Sequence, residues 1–430
     1  MNRGFYTIMA AQFFSALADN ALLFAAIALL KEVHAPNWHT PILQGFFVFS
    51  YIVLAPFVGA FADSLPKGRV MLISNTIKFF GCIAMLVGVN PLVAYGLVGF
   101  GAAAYSPAKY GILTEYLPHE KLVLANGWIE GLTVAAIVLG GGVSAILINP
   151  GVASQLLQLW DIPFIDSGID TAPELAISII SLLYLVAAAF NLYIPRVPID
   201  HKLFSRNPIS LLKDFNHCFW LLWKDKLGQV SLAVTTLFWG SGATLRLIVL
   251  SWAAVALNYS ASRAILLTVY VALGIAAGAL LAAKFVKMDK AVKVLPVGIA
   301  MGLMVLIMIP VNNPALAIFL LFIIGLMGGF FVVPMNALLQ HRGHLLMGAG
   351  SSIAVQNFNE NLSIFAMLGL YSLLEWQNFG IYTIITVFGM LLAVTMGILF
   401  KMHGHDQYLG DERRLVPRAP TPAASSKKIP

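Results

Sequence analysis

Six ionisable side chains lie inside segments of this sequence that are otherwise almost entirely apolar. Three are acids and three are bases: Asp19, Glu130, Glu360, Lys78, Lys109 and Arg246. Each such group costs about 2.5–3.5 kcal/mol at the centre of an apolar membrane helix, so six would cost about 15–20 kcal/mol if nothing compensated them. That sum exceeds the total stability of a typical fold. These side chains must therefore form ion pairs, extend to the membrane surface or line a hydrated cavity.

The equal numbers of acids and bases suit the binding of a zwitterionic solute. Carboxylates bind an ammonium group, and lysine and arginine bind a phosphate. The surrounding segments, such as FFVFSYIVLAPF (46–57) and LFIIGLMGGFFVV (321–333), offer apolar and aromatic surface rather than further hydrogen-bonding groups. We therefore expect an amphipathic solute with a charged head and an acyl tail. The alternative for any one pair is a purely structural ion pair between helices.

Lys78 and the string QNFNEN qualify this picture. Lys78 lies two to three turns from one end of its segment, so we interpret it as snorkelling to the membrane surface, with a place in the solute path as the alternative. Gln356 and Glu360 share a helical face, and so do Asn357 and the asparagine four residues after it. So polar a turn in mid-segment indicates a hydrated wall.

The composition sets the class of protein. Of 430 residues, 59% are hydrophobic and 10% are charged, against about 25% charged in an ordinary soluble domain. Runs of about 20 apolar residues, long enough to cross a bilayer as helix, recur along the chain. We predict an all-α membrane protein with twelve transmembrane helices in two groups of six. The predicted spans are 5–30, 42–62, 70–89, 92–114, 125–149, 175–194, 229–257, 264–285, 292–311, 314–339, 347–374 and 378–401.

These spans divide the chain into four parts. They are an N-terminal six-helix bundle (1–194), a cytoplasmic linker (195–228), a C-terminal six-helix bundle (229–401) and a disordered cytoplasmic tail (402–430). Within the linker, the string PISLLKDFNHCFWLLWKDKL places several apolar residues on one helical face: Leu212, Phe215, Phe219 and Leu222. This pattern indicates an amphipathic helix at the interface of the cytoplasmic leaflet.

The distribution of positive charge predicts the orientation. If the N-terminus is cytoplasmic, nearly all Lys and Arg residues of the loops fall on that side, and the opposite face keeps only Lys31 and Arg263. The 150–174 loop of the opposite face is acidic. Because Lys and Arg concentrate in cytoplasmic loops, we predict that both termini are cytoplasmic. The net charge of +7 then reflects topology and attraction to anionic membrane lipid, not a nucleic-acid partner.

The two halves of the sequence repeat weakly when the chain is aligned with itself. GFGAAAYSPAKYGIL aligns with GLMGGFFVVPMNALL, and NGWIEGL aligns with QNFNENL. The polar positions that coincide are Lys109 with Asn336, Glu130 with Glu360 and, across a short gap, Asp19 with Arg246. Parallel repeats of six helices around a central solute site are the plan of the major facilitator superfamily.

The string GAFADSLPKGR, between the second and third predicted spans, resembles the loop motif of that superfamily. The matching residues are Gly59, Asp63, Gly68 and Arg69. The resemblance implies that the glycine lets two helices approach closely, and that the acid and base latch the cytoplasmic ends of the halves in one conformation. The alternative is a charged turn that follows the positive-inside bias. The counterpart in the second half, KFVKMDK, is degenerate.

The chain as a whole resembles the bacterial lysophospholipid transporters of the major facilitator superfamily. The resemblance covers roughly residues 5 to 401 and is carried by AQFFSALADNALLFAAIALLK, GAAAYSPAKYGIL, LFWGSGATLRLIVL, GGFFVVPMNALLQ and IAVQNFNEN. It implies a monomeric, multi-pass protein of the bacterial inner membrane, without cofactor or metal. Such a protein moves lysophosphatidylethanolamine and related lyso-lipids inward by alternating access, and a cytoplasmic acyltransferase/acyl-carrier-protein synthetase reacylates them.

The resemblance also implies roles in head-group binding or gating for Asp19, Lys109, Arg246 and Glu360. From the polar positions themselves we add five more residues to the expected binding and translocation site: Asn20, Glu130, Asn336, Gln356 and Asn357. In the facilitator plan, spans 1, 4, 7 and 10 surround the cavity and spans 2, 5, 8 and 11 flank it. We expect contacts between Asp19 and Arg246 to break and reform between states.

Two other functions stand as alternatives. A proton-coupled efflux facilitator for amphipathic compounds predicts loss of transport when Asp19 or Glu130 is neutralised. A membrane scaffold for the acyltransferase predicts that the linker helix matters and the buried charges do not. The sequence contains no histidine followed five residues later by aspartate, the acyltransferase pair, and no Gly-x4-Gly-Lys-Ser/Thr loop. We therefore do not expect an enzyme.

Overall fold

A computed structural model describes residues 3–35, 39–160, 169–197, 207–259 and 261–404. These residues form α-helices joined by short turns, with two short 3-10 helices, His119–Lys121 and Met288–Val294. The α-helices are α1 (Arg3–Glu32), α2 (His39–Ser64), α3 (Lys67–Leu86), α4 (Pro91–Tyr116), α5 (Leu122–Ile148), α6 (Pro150–Trp160), α7 (Ala172–Leu192), α8 (Pro208–Lys224), α9 (Lys226–Ala256), α10 (Ala261–Phe285), α11 (Leu295–Ile307), α12 (Pro314–Met347), α13 (Ala349–Trp376) and α14 (Ile381–His403). The predicted tail lies outside the described residues from position 405 onward.

The all-α membrane class is confirmed. Ten helices, counted within the described part of the chain, are long and apolar enough to cross a membrane, where α11 is counted together with the 3-10 helix before it as Met288–Ile307. Two more, α4 and α13, are of similar length, with 26 and 28 residues, and are less apolar. The remaining two, α6 and α8, have 11 and 17 residues, which is short of the 20 or so that usually span a bilayer.

Most helix ends fall within three residues of the predicted spans, and α12 is the main exception. The prediction ended this helix at 339, before the polar string HRGH, but the helix continues to Met347. A helix does not need apolar surroundings, because its backbone hydrogen bonds are internal. It stops at Gly348, whose φ of 103° lies in the region that favours glycine.

The helices form two groups, which we call the N-half (α1–α7) and the C-half (α9–α14). The halves meet along two lines of contact, α2 with α13 and α5 with α10, and we call these the α2–α13 seam and the α5–α10 seam. Additional contacts join α4 to α13 and α12 to α5. Most of the side-chain hydrogen bonds between the halves lie near the turns α2–α3, α4–α5 and α12–α13, and one more, between Asn357 and Ser106, lies further along α13 and α4. We call this end of the bundle the closed end.

Small residues position the first candidate side chain. Ala18, Ala21 and Ala25 of α1 are buried at about one-turn spacing, and α1 packs against α5 and α7. Small residues at such spacing let membrane helices approach closely. Gly140 of α5 is part of the same approach, since a Cβ there would lie 3.0 Å from the backbone oxygen of Leu17. Asp19 therefore lies on a helix that packs closely against two others of the N-half.

Candidate functional site

The Asp19 carboxylate is held by two donors from two other helices. Lys78 Nζ of α3 lies 2.8 Å from Oδ2, and the Tyr184 hydroxyl of α7 donates to Oδ1 at 2.7 Å. The Asp19 side chain remains 23% exposed. Each carboxylate oxygen thus accepts a hydrogen bond from a buried side chain, while part of the Asp19 side chain stays accessible to solvent or to a ligand.

Lys78 does not snorkel, and that interpretation is wrong. Its side chain is completely buried, and its ammonium also donates to Ser15 Oγ at 3.1 Å. The rings of Tyr105 and Tyr184 lie 4.7 and 5.5 Å from the ammonium. Because a carboxylate lies at ion-pair distance within the bundle, the ammonium has no need to reach the membrane surface. The sequence could not reveal this, since it does not give the register of α1 against α3.

Lys109 and Glu130 form a looser pair of charges. The Lys109 ammonium lies 4.3 Å from the centre of the Tyr110 ring and makes no ion pair with a described residue. Glu130 is buried, and its Oε1 has no hydrogen-bond partner among the described atoms. Glu130 is the charge that attracts Lys109 most strongly, followed among the carboxylates by Asp19 and Glu360. An unpaired ammonium and a carboxylate with a free oxygen are groups that a charged ligand can bind.

The polar turn of α13 forms a chain of hydrogen bonds. Gln356 donates to Glu360 Oε1 at 2.7 Å and to Asn336 Oδ1 of α12 at 2.9 Å. The shared face of Gln356 and Glu360 is therefore confirmed. Asn357 points elsewhere and donates to Ser106 Oγ of α4 at 2.9 Å. This last bond joins the two halves, so the turn both carries a carboxylate and contributes to packing.

Arg246 and Asn20 stand apart from these contacts. Arg246 of α9 is exposed and forms no ion pair with a described residue. The expected contact between Asp19 and Arg246 is absent in this conformation, in which Lys78 and Tyr184 donate to the Asp19 carboxylate. Asn20 donates to the backbone oxygen of Ala16, one turn earlier in α1, at 2.8 Å.

The structure therefore sorts the buried charges into two groups. Asp19 and Lys78 neutralise each other directly. Lys109, Glu130 and Glu360 interact without a direct ion pair, and Arg246 is exposed on the C-half. Besides the Asp19–Lys78 ion pair, two bases and two acids remain available to bind a ligand: Lys109, Arg246, Glu130 and Glu360. The arrangement can thus offer bases to a phosphate and acids to an ammonium.

The α2–α13 seam contains the predicted motif acid. Asp63 accepts hydrogen bonds from the backbone N–H groups of Gly350 and Ser351, at 2.7 and 2.8 Å, and from the Ser351 hydroxyl at 2.9 Å. These groups begin α13, where backbone N–H groups lack partners within the helix. A Cβ on Gly59 would lie 2.9 Å from Ala354 Cβ. The close approach predicted for Gly59 is present, and it joins α2 to α13.

The basic partner in this motif differs from the prediction. Lys67, not Arg69, neutralises the acid: its Nζ lies 2.9 Å from Asp63 Oδ1 and 3.1 Å from Glu115 Oε1. Arg69 is exposed and forms no ion pair with a described residue. Asp63 lies at the end of α2 and Lys67 begins α3, so the short turn between the two helices brings Lys67, and not Arg69, beside the acid. Gly68 serves the N-half itself, since a Cβ there would lie 3.1 Å from the backbone oxygen of Asn191 at the end of α7.

The α5–α10 seam contains residues that the sequence reasoning missed. Asn126 of α5 and Gln340 of α12 exchange two side-chain hydrogen bonds of 2.9 and 2.8 Å, and both side chains are buried. A Cβ on Gly127 would lie 2.6 Å from Ala283 Cβ of α10. Neither amide carries a charge, so neither stood out. The sequence feature that could have identified them is a polar side chain near the end of an otherwise apolar helix.

Helix α8 packs against both halves through a face that contains three of the four predicted residues, Phe215, Phe219 and Leu222. Leu211 and Leu222 are buried, and Phe215 and Cys218 are half-buried against α2, α9 and α13. Leu212, predicted on the buried face, is 49% exposed. Leu211 takes its place on this face, because its spacing to Phe215 and Leu222 is equally helical, and the neighbouring helices determine which of the two leucines is buried. Within the described residues, no group of three or more His, Cys, Asp or Glu side chains could hold a metal ion.

Comparison with known proteins identifies the family. The profile of the Major Facilitator Superfamily matches residues 8–367. The chain belongs to this superfamily. Its members are transporters, in agreement with the expectation that the chain is not an enzyme.

Similar proteins narrow the comparison. Two proteins named lysophospholipid transporter LplT, from Yersinia pestis (strain Pestoides F) and Yersinia pseudotuberculosis serotype I (strain IP32953), are each 46% identical to this chain over 374 residues, or 87% of either length. The predicted resemblance is confirmed. Two solved structures match with TM-scores of 0.69 at 15% identity: a variant of the E. coli fucose:proton symporter FucP, over 93% of this chain and 98% of that one, and a bacterial homologue of the iron transporter ferroportin in an outward-facing state, over 94% and 100%. At this identity they show the fold alone, which is the facilitator fold.

Proposed function

We propose that this transporter carries lysophosphatidylethanolamine and related lyso-lipids inward across the bacterial inner membrane by alternating access. The observation that carries the proposal is the identity of 46%, over 87% of the chain, to proteins named lysophospholipid transporter. The set of charges agrees with it. Once Asp19 and Lys78 have neutralised each other, the remaining bases and acids match the phosphate and ammonium of a zwitterionic head group.

The proposed site combines residues of both halves. Lys109 and Arg246 bind the phosphate, while Glu130, Glu360 and the exposed part of Asp19 bind the ammonium. The remaining members of the path supply hydrogen bonds to the head group: Asn20, Asn336, Gln356 and Asn357. Arg246 forms no ion pair with a described residue in this conformation, and it approaches Asp19 when the opposite end of the bundle closes.

The proposed topology follows from the closed end. Twelve helices, α1–α5, α7 and α9–α14, span the membrane, and the first and last of them begin and end at the closed end. This end carries most of the basic loop residues, among them Lys67, Lys121 and Lys293, as expected for the cytoplasmic side. Both termini are then cytoplasmic, and the conformation described is closed to the cytoplasm. The seam residues Gly59, Asp63 and Lys67 act as its latch.

The proposal keeps the predicted division of the chain and its partners. The N-half and C-half are the two bundles, and α8 is an interfacial helix on the cytoplasmic leaflet, with Lys213 and Lys224 exposed toward anionic lipid. The protein acts as a monomer. A cytoplasmic acyltransferase/acyl-carrier-protein synthetase consumes the lipid that it delivers.

Reconstitution in liposomes tests the function. The assay follows labelled lysophosphatidylethanolamine across the bilayer, with a diacyl lipid as the control substrate. We expect fast, selective movement by the wild type, a reduction of at least tenfold in Lys109→Ala, and no change in Lys121→Ala, which removes an exposed lysine. A reduction of this size corresponds to about 1.4 kcal/mol or more of lost binding.

The same assay separates the alternatives. Absence of movement by the wild type, with and without imposed ion gradients, would overturn the proposal. Movement that requires an imposed pH gradient, and that is lost when Glu130 is neutralised, would favour proton-coupled efflux of amphipathic compounds instead.

A further inference from the structure

We propose that Tyr184 is a positioning residue that, together with Lys78, fixes the Asp19 carboxylate in the orientation that receives the ammonium of the head group. The inference rests on the proposed function, because it takes Asp19 as a head-group ligand. It adds Tyr184, which lies outside the sequence-predicted site. It also assigns Lys78 the role of holding Asp19 in place, and not that of contacting the transported lipid.

The geometry around Asp19 fixes each oxygen separately. Tyr184 of α7 donates to Oδ1 at 2.7 Å, and Lys78 of α3 donates to Oδ2 at 2.8 Å. Hydrogen bonds to a carboxylate at these distances are among the strong ones in proteins. Two donors from two different helices leave the carboxylate no freedom to rotate about its terminal bond. A third helix, α1, carries Asp19 itself, so three packed helices define its orientation.

Burial separates the positioning residues from the ligand-accessible one. Tyr184 and Lys78 are both 0% exposed, whereas the Asp19 side chain is 23% exposed. A ligand can therefore reach Asp19 but neither of its two partners. An ionised carboxylate offers about four lone-pair sites, and the two partners take two of them. The remaining sites face the accessible side and are available to an ammonium.

Lys78 is itself held in place. Its ammonium donates to Ser15 Oγ at 3.1 Å, and Ser15 in turn donates to Asn75 Oδ1 at 2.8 Å. The centre of the Tyr105 ring lies 4.7 Å from the same ammonium. The lysine thus remains on Asp19 and lowers its net charge, while Tyr184 contributes orientation without charge. Substitution of Tyr184 by phenylalanine therefore separates orientation from charge.

The test compares Tyr184→Phe with Tyr95→Phe in proteoliposomes. Tyr95 is also a buried tyrosine of the N-half, and it makes no hydrogen bond to Asp19. Transport is measured against substrate concentration for lysophosphatidylethanolamine, which has an ammonium, and for lysophosphatidylglycerol, which has none. We expect Tyr184→Phe to raise the KM for the first lipid about fivefold to tenfold, as for loss of one hydrogen bond to a charged group. We expect its maximal rate, and both constants for the second lipid, to change less than twofold.

The outcomes are distinct. A wild type that moves neither lipid would overturn the proposed function. A wild type that moves both, with a Tyr184→Phe variant that affects them equally or lowers only the maximal rate, would overturn the positioning role alone. If Tyr184→Phe does not fold, Ser15→Ala is used in the same assay, because it removes a hydrogen bond to Lys78 and keeps every charge. A rise of about twofold in KM for lysophosphatidylethanolamine alone supports the inference, and equal effects on both lipids overturn it.

Discussion

The two seams between the halves are fastened by different means. At the α2–α13 seam, the Asp63 carboxylate accepts three hydrogen bonds from the first residues of α13, and Lys67 neutralises it. At the α5–α10 seam, Gly127 packs against alanines of α10, and the amides of Asn126 and Gln340 pair beside it. One seam depends on buried charge, and the other depends on fit and on neutral hydrogen bonds.

This difference separates two properties of the closed end. Opening a charged seam strips a carboxylate of its donors, so charge sets the cost of opening. A seam of small residues has no such penalty, but it closes only if the volumes match. The sequence carries the same asymmetry: GAFADSLPKGR places Asp63 against the C-half, whereas Asp289 of the degenerate counterpart KFVKMDK is exposed.

The largest effect is expected from Lys67→Met, which attacks the charged seam. Lys67 is the buried cation for both Asp63 and Glu115. Both ion pairs lie within the N-half. Removal of Lys67 leaves two carboxylates buried without their cation in the closed conformation, which costs about 3–5 kcal/mol, and opening relieves this cost by exposing Asp63 to water. We expect a lower Tm in detergent and a shift of more than a hundredfold toward the conformation that is open at this end.

Spin labels at Lys121 and Lys293, exposed residues of the two halves at the closed end, report the opening as a longer distance, with Cys82 and Cys218 first replaced. Arg69→Met is the matched control, because it removes a basic residue of the same motif that makes no described ion pair. Equal effects of the two substitutions would mean that charge in the motif, and not its contact with Asp63, holds the seam.

Gly127→Val tests the seam that depends on fit. A Cβ at this position would lie 2.6 Å from Ala283 Cβ and 3.0 Å from the Ala279 backbone oxygen. Overpacking of this kind costs about 1–3 kcal/mol, so the label distance should lengthen in a smaller fraction of molecules than in Lys67→Met. Gly131→Val, one turn further along α5, meets nothing within 4 Å and should leave the distance unchanged. A similar opening in both variants would assign the effect to helix propensity instead.

Local features of this fold were predictable from sequence, and contacts between helices were not. Apolar runs and their breakers located the helices, and i to i+4 spacing predicted the shared face on which Gln356 donates to Glu360. The self-alignment set Asp19 against Arg246, but equivalence between repeats places two residues at similar depths in separate halves. It gives no reason for them to touch. The actual partner of Asp19 is Lys78. The sequence shows Lys78 as a charge within an apolar segment, but it suggested that the side chain snorkels to the membrane surface.

The misses at the seams have related physical causes. The acid of the motif was correctly singled out because its charge is conspicuous in an apolar sequence, yet the choice between Lys67 and Arg69 depended on helix phase after the α2–α3 turn. Asn126 and Gln340 lie 214 positions apart and carry no charge, so no local pattern joins them. Such pairs require knowledge of which helices face each other.

A double-mutant cycle on Asn126 and Gln340 measures the neutral part of the second seam. Each amide is the partner of the other, and both are buried. Either single alanine leaves a buried amide unsatisfied, which costs about 1–3 kcal/mol. The double variant should cost less than the sum of the singles by about 1 kcal/mol or more, in both unfolding and label distance. Additive effects would show that the two amides do not act as a unit.

The smallest effect is expected from Asp225→Asn, which tests whether charge matters only across a seam. Arg342 binds both carboxylate oxygens of Asp225, with Nε 3.0 Å from Oδ2, and this pair lies within the C-half and is partly exposed. Asparagine still caps α9 at the N–H of Gly228, so loss of the ion pair should cost less than about 1 kcal/mol. Unlike Asp63, neither Asp225 nor Arg342 hydrogen-bonds across a seam within the part of the chain that the structure describes, so Tm should fall slightly while the label distance stays constant. A longer distance in this variant would mean that charge anywhere at this end governs opening, and that the contrast between the seams is not its cause.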